Sequence, residues 1–312
     1  MKNLLILFIP FTILAQDCSR VNEKIVARLK VDINALASNE MEGREPGTEG
    51  EIKARDYIIS RMQEIDLNPK GTEHFIQAFS YIEKINQDQT VIKAHNVIGF
   101  IDNGADQTVT ITAHYDHLGY GLWGSNDKDS TKIHNGADDN ASGTAALLEL
   151  AHILKNNGIK ENNNFLFIAF SAEEKGLLGS KYFVMNPTLD LNKINYVLNM
   201  DMIGRMEDGM PLTIEGLGSS LIWEPSIKNI ECDAFPLTLK KRENGPSDHA
   251  PFYEEGVPSL HFWTGNHSDY HQPTDDAEKI NFEAESQIIS FIEALILLMD
   301  SKGKIELHLK EK

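Results

Sequence analysis

Blocks of apolar residues alternate with amphipathic blocks along the chain, and this pattern predicts strands separated by helices. Short β-branched or aromatic runs, typical of buried strands, occupy residues 91–101, 108–113, 165–170, 195–200, 211–216 and 258–263. Helical spacing of apolar residues is found at 142–156, through residue 182, at 219–230, at 249–255 and in a final helix that includes 288–299. The alternation predicts a three-layer α/β/α sandwich with a mixed, largely parallel central sheet.

Two segments near the N-terminal side of this sheet have their own patterns. The residues DNGADQ, between the runs at 91–101 and 108–113, are interpreted as a hairpin-like loop. Residues 21–67 are predicted to be helical, interrupted by a loop with the sequence EGREPGTEG. We therefore expect residues 16–90 to form an N-terminal helical segment packed on an α/β domain of residues 91–312, with 16–312 as one globular unit.

The composition and net charge argue against two classes of binding partner. The chain has 312 residues, of which 41% are apolar and 24% charged, an ordinary balance for a globular protein. Its formal net charge of -18 argues against binding to nucleic acid or to anionic membrane surfaces, because both would repel it at long range. The oligomeric state is left open by the sequence.

The first residues, MKNLLILFIPFTILAQ, predict export. A lysine precedes an apolar run that is too short, and interrupted by Pro10, for a membrane-spanning helix. We expect residues 1–15 to be a cleaved signal peptide, which gives a secreted or periplasmic protein without stable membrane insertion. Asp17 disfavours lipoprotein processing at Cys18, and a disulfide between Cys18 and Cys232 is possible in an oxidising compartment.

Two adjacent glutamates, Glu173 and Glu174, follow the apolar run FLFIAF. Neighbouring like charges repel each other unless a cation neutralises them. At a strand end, one carboxylate could hold a metal while the other reaches a bound water. The alternative is that both are solvated residues in the first turn of a helix, favoured by the helix dipole.

Other metal-binding residue types also follow predicted strands or precede a helix. These are His114, Asp116, Asp138, Asp139, Asp201 and His271. Taken singly, each has an ordinary explanation, such as an exposed histidine or a helix N-cap for the two aspartates. Together they place His, Asp and Glu at one edge of the sheet. Three protein ligands and an open position define a catalytic zinc site, and five donors can make two such sites if one carboxylate bridges them.

The order of these motifs resembles the secreted double-zinc aminopeptidases. This family of zinc exopeptidases also includes glutamate carboxypeptidase and glutaminyl cyclase, and it has the phosphorylase/hydrolase-like form of the predicted fold. The resemblance extends from about residue 36 to residue 282. It is carried by ASNEMEGREPGTEG, AHYDHLG, HNGADDNASG, FSAEEKGLLGS, NMDMIG, SDHAPFYEEGVP and DYHQPTDD.

The resemblance implies two zinc ions per chain. His114 and Asp201 would bind one ion, Glu174 and His271 would bind the other, and Asp139 would bridge them.

It also implies roles around the ions. Glu173 would be the general base, Asp116 would orient the imidazole of His114, and Tyr270 would donate a hydrogen bond to the developing oxyanion. A cis peptide bond is expected after the bridging acid, between Asp139 and Asn140.

These roles imply an exported metalloaminopeptidase that removes N-terminal residues from peptides with a free N-terminus. A hydroxide bridging the two zinc ions would attack the peptide carbonyl. The alternatives are a glutaminyl cyclase, a dipeptidase or carboxypeptidase-like amidohydrolase, and a binding module without catalysis. Phe262 and Trp263 are candidates to line a pocket for a large apolar side chain, and the detailed side-chain preference is left open.

Overall fold

The computed structural model describes residues 18–85, 88–127, 132–242 and 245–308. The predicted signal peptide, residues 1–15, lies outside the described residues. The helices are α1 (Glu23–Leu36), α2 (Glu49–Glu64), α3 (Gly143–Asn156), α4 (Leu178–Met185), α5 (Trp223–Lys228), α6 (His249–Glu254) and α7 (Phe282–Asp300). The strands are β1 (Asn68–Pro69), β2 (Ile76–Ile85), β3 (Asp88–Ile101), β4 (Gln107–His114), β5 (Asn163–Phe170), β6 (Ile194–Met200), β7 (Leu212–Glu215), β8 (Leu237–Leu239) and β9 (Ser259–Trp263).

One mixed sheet contains these strands. Its order is β1-β3-β5-β4-β6-β9-β7-β8, and β2 pairs with β3 beside this path. The four central strands β5, β4, β6 and β9 are parallel, whereas β3 and β7 join them in antiparallel orientation. The predicted fold class is therefore confirmed, and the carboxyl ends of the four central strands meet at one edge of the sheet.

Strand β5 explains why the core has two halves. Side chains alternate across a strand, so Phe165 and Phe167 pack into the core formed with α1, α2, α3 and α7. Leu166, Ile168 and Phe170 pack into the opposite core, formed with α4 and α6. The strand is buried along its whole length. Helices cover both faces, as the continuous apolar run predicts.

The hairpin-like interpretation of DNGADQ is wrong. β3 and β4 are consecutive in the chain, but β5 lies between them, antiparallel to β3 and parallel to β4. A strand that is apolar on both faces must be covered by helices on both sides, so β5 takes a central place and separates the two earlier strands.

The N-terminal segment contains both helices and strands. α1 and α2 have side-chain N-caps from Asn22 and Thr48, and α2 buries Ala54, Ile58 and Met62 on one face, at the spacing of one helical turn. The strand β2, which the pattern analysis did not identify, pairs along its length with β3. The boundary between residues 90 and 91 stays a prediction.

Cys18 and Cys232 form a disulfide across 214 residues of sequence. Cys18 is fully buried in the larger core, so the beginning of the described chain is fastened to the region after α5. Among the described residues, none of the helices combines the length and the apolar character that a bilayer crossing requires.

Candidate metal centre

The predicted ligands lie at the carboxyl ends of the central strands. His114 is the last residue of β4, and Asp201 directly follows β6. Glu174 lies in the turn after β5, His271 in the loop after β9, and Asp139 in the turn that leads into α3. In doubly wound sheets ligands bind at this edge, because the loops that leave parallel strands converge there.

The first group of donors consists of His114, Asp139 and Asp201. Nε2 of His114 lies 3.2 Å from Oδ1 of Asp139 and 3.3 Å from Oδ1 of Asp201. Ligand atoms about 2.0–2.1 Å from a tetrahedral zinc ion are about 3.3–3.4 Å apart, so these separations fit one bound metal. The three residues form a group able to hold a metal ion.

The second group shares Asp139 with the first. Nε2 of His271 lies 3.3 Å from Oδ2 of Asp139 and 3.2 Å from Oε2 of Glu174. The two oxygens of Asp139 therefore face different sets of donors. This is the geometry that a carboxylate bridging two metals requires. The Asp139–Asn140 peptide bond is cis, as the resemblance implied.

A backbone carbonyl lies beside Nδ1 of each of the two histidines that are predicted to be ligands. Nδ1 of His114 lies 3.2 Å from the carbonyl oxygen of Asp116, and Nδ1 of His271 lies 2.9 Å from that of Gly124. An imidazole that donates from Nδ1–H to this carbonyl would have its Nε2 free to bind a metal. Metal-binding imidazoles are commonly fixed by such a bond from the distal nitrogen.

The carboxylate of Asp116 has a different contact from the one expected. Its Oδ1 lies 3.6 Å from Nδ1 of His114, beyond a hydrogen bond. Oδ1 accepts from the backbone amide of Glu173 at 3.0 Å, and Oδ2 accepts from that of Glu174 at 3.3 Å. The buried Asp116 carboxylate therefore holds the turn that carries both glutamates.

Residues 96–296 match the family model described as Peptidase family M28. The chain belongs to peptidase family M28. All five predicted ligands, together with Glu173 and Tyr270, lie inside the matched region.

Curated relatives and solved structures show what else the chain is similar to. The chain is 34% identical over 208 residues to aminopeptidase YwaD of Bacillus subtilis. The matched stretch covers 63% of this chain and 42% of that relative. Across three curated relatives, the chain spans between 34% and 54% of their length.

A solved zinc aminopeptidase from Bacillus subtilis superposes with a TM-score of 0.68 at 20% identity, covering 92% of this chain and 96% of that one. A glutaminyl cyclase from Bacteroides thetaiotaomicron bound to N-acetylhistamine superposes with a TM-score of 0.69 at 17% identity, covering 89% and 98%. The fold is therefore shared with both kinds of enzyme.

Glu173 stands apart from both donor groups of this M28 chain. Its Oε2 lies 4.0 Å from Nε2 of His114, beside the first group rather than within it. Burial raises the pKa of Glu173 well above its ordinary value, and the carboxylates of Asp201 and Asp248 raise it further, against the lowering effect of His114. A cation between the carboxylates would oppose this shift.

The imidazoles of the two predicted ligand histidines respond to the same negative charge. Burial lowers the pKa of His271, but its hydrogen bonds to Asp139 and Glu174 raise it more, to about 10. The pKa of His114 is also raised well above its ordinary value, because the charges of Asp201 and Glu173 outweigh burial. The carboxylates of this cluster therefore favour positive charge at this edge of the sheet.

His117 and Ser247 complete the surroundings of the M28 centre, although the sequence analysis gave neither a role. Nδ1 of the fully buried His117 lies 2.8 Å from Oε1 of Glu174, and His117 joins Asp139 and Glu174 in another group able to hold a metal. Ser247 donates to Oδ2 of Asp201 at 2.7 Å. The available signal was their place inside the AHYDHLG and SDH motifs.

The aromatic candidates divide between the site and the core. The ring of Tyr270 stacks on that of His271 with 3.9 Å between centroids. Burial raises the pKa of Tyr270, and the charges of Asp139 and Glu174 raise it further. Phe262 is fully buried in the larger core, so its proposed place in an open pocket is wrong. Trp263 is partly exposed and stacks on His261.

Proposed function

We propose that this chain is an exported, zinc-dependent aminopeptidase with two zinc ions per chain. The observation that carries the proposal is the orientation of Asp139, whose two oxygens lie 3.2 and 3.3 Å from the imidazoles of His114 and His271. His114 and Asp201 would hold one ion, Glu174 and His271 would hold the other, and Asp139 would bridge them. Imidazole and carboxylate donors suit zinc.

Divalent metals held by these ligands would polarise a substrate carbonyl and lower the pKa of a water molecule that they bind. Glu173 accepts the proton of that water as the carbonyl is attacked, and it then gives the proton to the leaving amine nitrogen. Its position, 4.0 Å from Nε2 of His114 and outside both donor groups, supports this role. Asp116 fixes Glu173 through the backbone amide.

Tyr270 is proposed to stabilise the oxyanion that forms on the substrate. Its stacking on His271 holds the ring beside the second donor group. The carboxylates of Asp139 and Glu174 help to raise its pKa, after burial, so the phenol keeps its proton and can donate a hydrogen bond at neutral pH.

A free α-amine is the proposed feature that selects the substrate. The site combines several buried or partly buried carboxylates, which offer partners for an ammonium group. The family match and the aminopeptidase names of the relatives support peptides as substrates. A secreted or periplasmic location is supported by the disulfide, because such bonds persist in oxidising compartments.

The alternative is a glutaminyl cyclase, which the second solved structure favours by its similar fold. Two complete donor groups that share Asp139 favour the two-metal hydrolase, since a cyclase of this fold is expected to use one zinc ion. A dipeptidase or carboxypeptidase-like enzyme would use the same ligands and differ in how it recognises the ends of the peptide.

Paired substrates test the proposal directly. Leucine p-nitroanilide should be hydrolysed, a chelator should abolish hydrolysis, and zinc should restore it. The N-acetylated analogue should be inert, because its nitrogen carries no charge and cannot pair with the carboxylates. Equal hydrolysis of both substrates would contradict the aminopeptidase assignment and leave a metal-dependent amidohydrolase. Absence of hydrolysis, with cyclisation of an N-terminal glutamine peptide, would favour the cyclase.

A further inference from the structure

Residues 42–51, with the sequence EGREPGTEGE, lie against the loops that carry the metal ligands. We call this segment the brace. It includes the end of a 3-10 turn and the beginning of α2. The family match begins only at residue 96, so the brace lies outside the matched region.

Arg44 supplies the first set of contacts. Its side chain is fully buried, and it donates four hydrogen bonds to backbone carbonyl oxygens. Nε donates to Tyr115 at 2.6 Å, and the terminal nitrogens donate to Asn135 at 2.6 Å and to Gly136 at 2.9 Å. The fourth bond reaches Leu36 in α1 at 2.7 Å. One guanidinium thus joins the loop after β4, the turn before α3 and the N-terminal helix.

The backbone of the brace adds two contacts to the loop after β4. The carbonyl of Gly43 accepts from the amide of Gly119 at 3.0 Å, and that of Arg44 accepts from the amide of His117 at 3.4 Å. Gly43 and Arg44 both have positive φ, 67° and 52°. A Cβ on Gly43 would lie 2.5 Å from the carbonyl oxygen of His134. The close contact between the brace and the backbone of His134 therefore requires glycine at this position.

Glu51 supplies the second set of side-chain contacts. Its carboxylate is also fully buried. Oε1 accepts from the Tyr115 hydroxyl at 3.0 Å, from the Ser171 hydroxyl at 2.9 Å and from the His95 amide at 3.0 Å. Oε2 accepts from the Gly47 amide at 2.9 Å, within the brace itself. Glu51 therefore connects the ends of β4 and β5.

The contacted residues are close in sequence to the ligands. Tyr115 directly follows His114, Gly136 lies three residues before Asp139, and Ser171 lies three residues before Glu174. A metal site tolerates displacements of only about 0.5 Å in its ligands, and partners beyond the direct ligands are commonly worth 10–100-fold in metal affinity.

We infer that the brace positions the metal ligands, with Arg44 and Glu51 as positioning residues that hold three ligand-bearing loops in register. The inference rests on the proposed metal centre. It gives the N-terminal segment a role in metal binding and not only in folding. Removing a brace contact should then weaken metal binding more than an equally buried contact elsewhere does.

The chain offers a matched control. Glu149 in α3 is also a buried carboxylate, and it forms a two-bonded ion pair with Arg28 of α1, with both distances at 2.6 Å. This ion pair joins α1 to α3. Among the described residues, its hydrogen bonds do not reach the loops that carry the predicted metal ligands. Glu149→Gln should lower the melting temperature without changing zinc affinity.

The experiment measures zinc affinity by competition with a chromophoric chelator for the full chain and for Arg44→Lys, Glu51→Gln and Glu149→Gln. Arg44→Lys keeps the positive charge and loses the branched donor geometry. We expect both brace variants to bind zinc about tenfold or more weakly, and their cobalt-substituted forms to show a changed visible spectrum. Glu149→Gln should stay within about twofold of the unsubstituted chain. Brace variants within that same twofold limit would overturn the inference.

Hydrogen exchange of the unsubstituted chain gives a second test that does not depend on the variants folding. Zinc binding should slow exchange at the amides of His117 and Gly119, which donate to the brace, and at Gly47 within it. Unchanged exchange at these amides, while the ligand-bearing turn at Asp139 becomes protected, would overturn the inference. If the unsubstituted chain binds no zinc at all, the brace and the proposed metal centre both fail.

Discussion

The carboxylate of Asp116 accepts a hydrogen bond from the backbone amide of Glu173 over 3.0 Å. This contact links the loop after β4 to the turn after β5. The same carboxylate reaches the next amide in that turn at 3.3 Å. Asp116 therefore acts on the proposed general base through the backbone, and on the imidazole of His114 through its own carbonyl group.

Asp116→Asn should lower kcat about 10–100-fold and weaken zinc binding, because one of the two amides would lose its acceptor and meet an NH₂ group instead. The measurements are steady-state kinetics and zinc competition. Asp102→Asn is the control, since Asp102 is exposed and accepts from Gly104 in the loop after β3. Equal kinetics for the two variants would contradict the role given to Asp116.

Substitution of the two adjacent glutamates should impair the enzyme in different ways. Glu173→Gln should keep both metals and lose about a hundredfold or more in kcat, the usual effect of removing a positioned general base. Glu174→Gln should lose metal from the second site, because Oε2 of Glu174 lies 3.2 Å from the imidazole of His271. Elemental analysis alongside kinetics separates the two. Metal loss in the first variant and not in the second would show that the roles are reversed.

Stability should depend on pH through Glu293 of α7. This glutamate is buried, and its Oε2 has no hydrogen-bond partner among the described residues. Burial, together with a smaller contribution from the carboxylate of Glu149, raises the pKa of Glu293 from 4.5 to about 7. The folded chain then binds this proton more tightly than the unfolded chain. Stability from Glu293 is complete below about pH 4.5 and is lost as the pH rises through 7.

Glu293→Gln should therefore increase the free energy of unfolding by about 3 kcal/mol more at pH 8 than at pH 4.5. Urea unfolding with a chelator present measures this without a contribution from metal. Glu254→Gln, at an exposed position in α6, is the control. The same change at both pH values would contradict the shifted pKa of Glu293.

The alternation of apolar runs and amphipathic blocks along the chain predicted most of the fold. The apolar run at 165–170 favoured a strand covered on both faces, and β5 is buried throughout. Neighbour relations in the sheet were not predictable in the same way. The short loop between β3 and β4 favoured a hairpin, whereas burial of β5 between them decided the order. Local turn signals compete with long-range burial, and here burial determines the arrangement.

The grouping of His, Asp and Glu at one edge of the sheet was predictable, because these residue types are costly at strand ends unless they are paired or bind metal. The resemblance to a known family, and not the residue chemistry alone, implied which five of them are zinc ligands. The residues that contact the ligand-bearing loops were harder to predict. Arg44 and Glu51 act on loops about 64 to 120 residues away in sequence, and no local pattern indicates such contacts. Phe262 illustrates the opposite problem, since an aromatic residue at the end of a strand suits both a pocket and the core.

The number of zinc ions per chain tests the bridging role of Asp139 most directly. Among the described residues, the two donor groups share this carboxylate, which lies within 3.3 Å of both His114 and His271. Elemental analysis of the fully active, dialysed protein should give two zinc ions per chain. One zinc ion per chain at full activity would contradict the two-metal centre.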